Sequence, residues 1–173
     1  MTTCSLPQSR RPVRELLVLI AALVLVCHAS VAAADIADFS SDGCSLFPDG
    51  TITDRAKWCD CCLQHDIAYW RGGTEEERKQ ADAVLRDCVL GHTGDKTLAE
   101  TMYLGVRAGG HPVFPNWYRW AYGWNYGRGY KPLTEGERER AMKKLDRYWK
   151  SHPEGYCAEK HGTAPKKERG DDK

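Results

Sequence analysis

Three cysteines, a histidine and a tyrosine fall within eleven consecutive residues, and this run constrains the fold more than any other part of the sequence. Residues 59–69 read Cys-Asp-Cys-Cys-Leu-Gln-His-Asp-Ile-Ala-Tyr. If the run is helical, Cys61, His65 and Tyr69 are four residues apart and share one stripe of the helix. Asp66 lies on a neighbouring stripe. One helix could therefore be held by disulfides at one end and present an imidazole and a carboxylate further along.

The N-terminal 34 residues are typical of a secretory signal. Three arginines precede an apolar run, residues 16–27, and a series of small residues ends at Ala34. The run is shorter than the roughly 20 residues that a membrane-spanning helix needs, so we expect cleavage after Ala34 rather than an uncleaved anchor. A lipoprotein signal at Cys27 is disfavoured because Val26 stands where a small residue is expected. We therefore expect a secreted or periplasmic protein.

The expected mature chain has one domain, residues 35–165, and a charged tail, residues 166–173, that we expect to be disordered. Removing residues 1–34 takes three Arg and one Glu from the 25 basic and 24 acidic residues, which leaves 22 and 23 and a net charge of −1. This charge does not favour nucleic acid as a partner. We also expect the protein to be a monomer. Six cysteines remain, an even number that predicts three disulfides in an exported protein. They are Cys44, Cys59, Cys61, Cys62, Cys88 and Cys157.

Helix-start and turn signals predict a mostly α, loop-rich fold. Asp54 is a candidate N-cap for the helix that carries the cysteine run. Thr74 and Thr134 each have a glutamate three residues later, which forms the capping box of a further helix. The predicted helices span residues 54–70, 74–90, 96–106 and 134–149, and the predicted loops span residues 35–53 and 109–130.

The first two predicted helices are joined by Gly72 and Gly73, so we expect them to pack antiparallel. Facing residues in such a pair keep a nearly constant sum of residue numbers. The pairs that fit one register are Cys61 with Cys88, Ala68 with Ala81, and His65 with Asp82. The interface would thus hold a possible disulfide, a close alanine contact and a histidine–carboxylate pair. Asp87 is a rival carboxylate, but it lies nearly one turn out of register.

At these residues the chain resembles the secreted phospholipase A2 superfamily, which carries Cys-Cys-x-x-His-Asp-x-Cys-Tyr on one helix. The matching residues are Cys61, Cys62, His65, Asp66 and Tyr69. The second helix of that family carries Cys-Asp and a further Cys six residues after the Asp, and Asp82 and Cys88 have this spacing. Ala68 and Ala81 replace two cysteines that the family links to each other, so neither replacement leaves an unpaired thiol. The similarity covers about residues 42–90.

The resemblance implies a fold with two antiparallel, disulfide-linked core helices and additional helices. The implied disulfides are Cys61–Cys88 and Cys44–Cys62. By exclusion, Cys59 then bonds Cys157 and ties the last segment of the chain to the first helix.

The resemblance also implies calcium-dependent hydrolysis of a phospholipid ester. The candidate catalytic residues are His65, Asp82 and Tyr69. His65 would act as the general base that activates water, since a neutral imidazole accepts a proton near neutral pH. Asp82 would fix the tautomer and orientation of the ring, and Tyr69 would hold Asp82 through its hydroxyl.

Asp66 points about 100° around the helix from His65, so it would bind a metal instead. In the family, backbone carbonyls from the preceding loop complete an oxygen site that suits Ca²⁺. Aligning Cys44 with the family's loop cysteine places these carbonyls at Gly43, Ser45 and Phe47. The loop here has fewer glycines than the family loop and lies further from the histidine, so a contribution from Asp49 stays open.

Several alternatives remain at this point. The chain could be a non-catalytic lipid- or protein-binding module of the same fold, or a disulfide-stapled structural protein of the cell envelope. A zinc cluster of the cysteines and His65 is weaker, because no second ligand pair follows and export disfavours free thiolates. The aromatic stretch 117–126 predicts either a lid on the core or a contact with a phospholipid membrane surface.

Overall fold

Five helices make up the regular structure of residues 35–162, the part of the chain that the computed structural model describes. They are α1 (Cys59–Arg71), α2 (Glu75–Thr93), α3 (Lys96–Gly109), α4 (Glu135–Ser151) and α5 (Tyr156–His161). No strand occurs within these residues, so the predicted mostly α, loop-rich fold is confirmed. None of these helices combines the length and the apolar character of a membrane span. The predicted signal and the predicted charged tail lie outside the described residues.

Capping boxes start α2 and α4, as predicted. The Thr74 hydroxyl accepts a hydrogen bond from the Glu77 backbone N–H at 3.2 Å, and the Glu77 carboxylate accepts one from the Thr74 N–H at 2.7 Å. Thr134 and Glu137 repeat the arrangement at 3.3 and 2.8 Å. Each box satisfies two backbone donors that the first helical turn leaves unpaired.

The predicted start of the first helix near Asp54 is wrong, because α1 begins at Cys59. Residues 51–58 instead turn back onto the preceding loop. The Trp58 backbone N–H donates to the Asp49 carbonyl at 3.0 Å, and its indole donates to the Pro48 carbonyl at 2.7 Å. These bonds take up the Trp58 donors, so the segment before α1 braces the loop rather than extending the helix.

Three disulfides hold the described part of the chain together, and their pairing is as expected. They are Cys44–Cys62, Cys59–Cys157 and Cys61–Cys88. The first fastens the loop to α1, the second fastens α5 to α1, and the third fastens α1 to α2. Each such bond typically stabilises a small domain by about 2–4 kcal/mol, mainly by restricting the unfolded chain. The short helix α5, which the sequence did not predict, is thereby held against the first turn of α1.

Two groups of buried apolar residues meet along α1. One contains Cys61 together with Leu85 and Met102, and it joins the first turns of α1 to α2 and α3. The other contains Trp70 and Tyr148, and it joins the last turn of α1 to α4 and the aromatic stretch. His65 lies midway along α1, so it is positioned between two packed ends of the helix.

The aromatic stretch is divided between core and surface. Trp120 and Trp124 are buried, and their indoles donate to the Gly73 and Arg71 carbonyls at 3.0 and 2.7 Å. They thus satisfy backbone acceptors at and just after the end of α1, and their burial agrees with the lid alternative for this part of the stretch. Trp117 is 67 % exposed and lies outside this core.

Candidate active site

The imidazole of His65 contacts the carboxylate of Asp82, as the antiparallel register of α1 and α2 predicts. Nε2 of His65 lies 2.8 Å from Oδ1 of Asp82, and both side chains are buried. Because an ionised carboxylate only accepts hydrogen bonds, Nε2 carries the proton in this pair, and in the neutral imidazole the lone pair is then on Nδ1. Among the described residues, no protein group is hydrogen-bonded to Nδ1.

The carboxylate of Asp82 is satisfied on both oxygens. Oδ1 also accepts a hydrogen bond from the Tyr69 hydroxyl at 2.8 Å, and Oδ2 accepts one from Nη1 of Arg107 at 2.6 Å. Burial alone would raise the pKa of Asp82, but the hydrogen bonds from His65 and Arg107 hold it below its usual value. Asp82 is therefore an ionised, fixed acceptor for the imidazole.

Arg78, on the same helix as Asp82, holds the Tyr69 hydroxyl that donates to Asp82. It is almost fully buried, and its Nε donates to the Tyr69 hydroxyl at 3.0 Å. Its other nitrogens donate to the Tyr130 hydroxyl and to the carbonyls of Val106 and Arg107. The Arg78 guanidinium therefore links its own helix, α2, to Tyr69 of α1, to the end of α3 and to Tyr130 in the loop before α4.

The imidazole lines a mainly apolar cavity of about 110 Å³. This volume would hold several water molecules or a segment of a hydrocarbon chain. The apolar side chains of its wall are Leu46, Phe47, Leu85, Met102 and Val106. Gly110 lets the Tyr69 ring pack directly on its backbone, since a Cβ at this position would lie 2.5 Å from the ring. The cavity therefore brings a histidine with a free ring nitrogen next to hydrocarbon walls.

Asp66 lines the same cavity and is 7 % exposed. Its Oδ2 accepts a hydrogen bond from the Ser41 hydroxyl, and no Lys, Arg or His among residues 35–162 pairs with it. Burial raises the pKa of Asp66 to about 8, and the nearby charges of Asp42 and Asp49 also raise it. A cation bound beside this carboxylate would favour its ionised form.

The predicted partners of Asp66 in a calcium site line the same cavity. They are Gly43, Ser45 and Phe47. Gly43 and Ser45 have positive φ angles of 80° and 50°, which fold the loop sharply at this point. A buried carboxylate without a cationic partner and backbone carbonyls of a loop that lines the same cavity are hard oxygen donors, which is the chemistry that Ca²⁺ prefers.

Asp49, which the sequence left as a possible further ligand, braces the loop instead. Its Oδ1 accepts a hydrogen bond from the Cys44 backbone N–H at 2.7 Å. Its Oδ2 pairs with Lys160 at 2.9 Å and with His161 at 2.8 Å. Both oxygens are therefore engaged, and Asp49 couples the loop to α5.

Sequence reasoning missed the two arginines and the serine of this site. Arg78 precedes Asp82 by four residues on the same helix, and this spacing was a usable signal. Arg107 approaches from α3 and Ser41 from the N-terminal loop, and no local spacing relates either of them to the carboxylates. Their placement follows from how the elements pack.

Comparison of the chain with protein-family models, with curated proteins and with solved structures gives no match in any of the three. The chemistry of the site therefore has to be inferred from its own atoms. The site consists of an oriented imidazole and a buried carboxylate without a cationic partner, and both side chains line one apolar cavity.

Proposed function

We propose that this protein is a divergent, phospholipase A2-like enzyme that hydrolyses a phospholipid ester in the presence of Ca²⁺. One observation carries the proposal. The imidazole of His65 is fixed through Nε2 by Asp82, and it lines an apolar cavity with Nδ1 free. An oriented base with one available nitrogen, next to space for hydrocarbon, is the arrangement that attack of water on a lipid ester requires.

The reaction has two proton transfers at Nδ1 of His65. Nδ1 takes a proton from a water molecule in the cavity while the water oxygen bonds to the ester carbonyl carbon. The imidazolium then returns this proton to the leaving alcohol oxygen as the ester C–O bond breaks. The products are a fatty acid and a lysophospholipid. General base catalysis of this kind typically contributes about 10²–10⁴-fold to the rate.

Asp82 and Tyr69 act as positioning residues in this scheme. Asp82 holds the Nε2–H tautomer and stabilises the imidazolium that forms. Tyr69 donates to Oδ1 of Asp82, so this oxygen is shared between a phenol and the imidazole. Neither residue needs to touch the ester.

Asp66 and the carbonyls of Gly43, Ser45 and Phe47 would hold the calcium ion. A cation bound there supplies Lewis-acid polarisation of the ester carbonyl and offsets the charge on its oxygen. The raised pKa of Asp66, which follows from burial without a cationic partner, supports this role.

A phospholipid membrane surface is the proposed partner. Leu46 lines the cavity and is 74 % exposed, and Leu104 of the cavity-flanking helix α3 is 62 % exposed. Together with Trp117, these side chains offer apolar contacts to a lipid layer. The three disulfides support export to the periplasm or the outside of the cell, and we propose that the protein acts as a monomer.

The test is release of fatty acid from mixed phospholipid vesicles with Ca²⁺ or with EDTA. We expect activity only with Ca²⁺, and we expect H65Q to lower it by at least about 10³-fold while the fold is kept. H92Q is the matched control, because His92 is exposed and does not line the cavity. Full activity of H65Q, or equal activity in EDTA, would overturn the proposal.

A non-catalytic lipid- or protein-binding module is the second candidate. The observation that favours it is the Ser41 hydroxyl, which already occupies one oxygen of Asp66. A calcium titration separates the two candidates, because a non-catalytic module that has lost its metal would show neither binding nor activation.

A further inference from the structure

We infer that Arg107 is a positioning residue of the active site: by binding Oδ2 of Asp82 it keeps Oδ1 turned toward the imidazole. The kinetic part of this inference rests on the proposed hydrolysis. The structural part rests on the contacts alone.

The geometry around Asp82 assigns a different task to each oxygen. Oδ1 lies 2.8 Å from both Nε2 of His65 and the Tyr69 hydroxyl. Oδ2 lies 2.6 Å from Nη1 of Arg107, and the nearest nitrogen of Arg78 is 3.8 Å away. Arg107 is thus the one close partner of Oδ2 among residues 35–162. Without it, nothing among these residues would hold the carboxylate plane of Asp82 from the Oδ2 side, and partial rotation about the Cβ–Cγ bond would turn the acceptor oxygen away from the imidazole.

Hydrogen bonds from Arg78 anchor the backbone at Arg107. Nη2 of Arg78 donates to the Arg107 carbonyl at 2.8 Å and to the Val106 carbonyl at 2.9 Å. Arg107 also lies in the last turn of α3, where the helix dipole favours a positive charge. The Arg107 backbone is therefore anchored from α2, and its side chain reaches back to the same helix.

Arg107 also closes the outer side of Asp82. The side chain of Arg107 is 22 % exposed, whereas Asp82 is fully buried. The guanidinium therefore stands between the carboxylate and solvent. Water that reached Oδ2 would compete for the acceptor and loosen the hydrogen bond to the imidazole.

The kinetic experiment compares wild type, R107Q, R107K and the control R86Q. Arg86 forms an arginine–aspartate pair with Asp87 at 2.9 Å and does not line the cavity, so R86Q should leave activity unchanged. We expect R107Q to lower kcat about tenfold with KM within about twofold, and R107K to recover part of the loss. An unchanged kcat in R107Q, or a loss in R107K equal to that in R107Q, would overturn the inference.

A second readout does not depend on turnover. The Nε2–H proton of His65 should give a downfield proton NMR signal, which H65Q identifies by its absence. We expect R107Q to shift or broaden this signal in the folded protein, and R86Q to leave it in place. If wild type releases no fatty acid, the proposed hydrolysis fails while this signal still decides the role of Arg107. An unmoved signal in R107Q would overturn it.

Discussion

Asp82 and Asp66 are two buried carboxylates near His65, and they differ in the hydrogen-bond donors and cations that surround them. Asp82 accepts hydrogen bonds from an imidazole, a phenol and a guanidinium, and despite burial its pKa stays below the usual value. Asp66 is nearly as buried, but the one side-chain donor that reaches it within residues 35–162 is the Ser41 hydroxyl. Burial consequently raises the pKa of Asp66 to about 8.

The fold compensates the negative charge of Asp82 with hydrogen-bond donors and Arg107, whereas it gives Asp66 no cationic partner among residues 35–162. The surroundings of Asp82 are complete without any ligand, which is typical of a group that orients another group. The surroundings of Asp66 are incomplete, which is typical of a group that binds something. Replacing each carboxylate by an amide should therefore destabilise the metal-free protein at Asp82 and not at Asp66.

The largest expected effect is on stability at Asp82. Asp82→Asn would leave Arg107 without its carboxylate and the imidazole without an ionised acceptor, so we expect a loss of about 3–5 kcal/mol in the free energy of unfolding. Asp66→Asn should be neutral or stabilising in EDTA, because it removes a buried acid that has no cationic partner among residues 35–162. Urea denaturation in EDTA at pH 8 measures both variants. Equal losses in the free energy of unfolding at the two positions would contradict the proposed difference between their surroundings.

The next effect is a pH dependence in the metal-free protein. The unfolded chain releases the Asp66 proton near pH 4, whereas the folded protein holds it up to about pH 8. Between these values the folded state binds more protons, so stability should fall as pH rises, by a few kcal/mol in total. Asp66→Asn should remove this slope. Urea midpoints measured in EDTA from pH 5 to pH 8 test it, and a slope that persists in the variant would assign it to another group.

The contact between His65 and Asp82 could be predicted from sequence because it lies inside one helical hairpin. Two glycines fix the turn, and the periods of α1 and α2 then fix which residues face each other. Capping boxes gave the starts of α2 and α4 for a similar reason, since the bonds at Thr74 and Thr134 span only three residues. Local spacing decides such features.

Features that depend on packing between distant segments could not be predicted. Arg107 reaches Asp82 from 25 positions away, and the approach of α3 to α2 has no counterpart in local spacing. The helix start predicted at Asp54 is wrong for the same reason. Trp58 donates to carbonyls of the preceding loop, and local helix-start signals do not reveal these bonds. Ser41, α5 and its contacts with Asp49 belong to this group as well.

Calcium should stabilise the protein through Asp66 and not through Asp82. A ligand that binds only the folded state at 100 times its Kd contributes about 2.7 kcal/mol. We expect Ca²⁺ to raise the unfolding midpoint of wild type and to leave that of Asp66→Asn unchanged. Since binding needs the ionised carboxylate, the effect should grow from pH 6 to pH 8. Thermal melts with Ca²⁺, and with Mg²⁺ for comparison, measure this shift. A shift of the same size in Asp66→Asn would show that the ion binds at another site.

The smallest effect is expected at Glu137, a third carboxylate that resembles Asp82 in having an arginine partner. Arg128 binds both of its oxygens, at 2.9 and 3.0 Å, and lowers the pKa of Glu137 to about 2. Its contribution is present above pH 4.5 and is lost as pH falls toward 2, because the folded protein must then take up a proton that the unfolded chain binds more readily. Glu137→Gln keeps the cap of α4 and no imidazole depends on it, so we expect a loss of about 1–2 kcal/mol at pH 7. Urea denaturation measures this loss. If it is as large as the loss in Asp82→Asn, then the pairing with arginine alone, and not the whole set of hydrogen-bond partners, sets how much stability is lost.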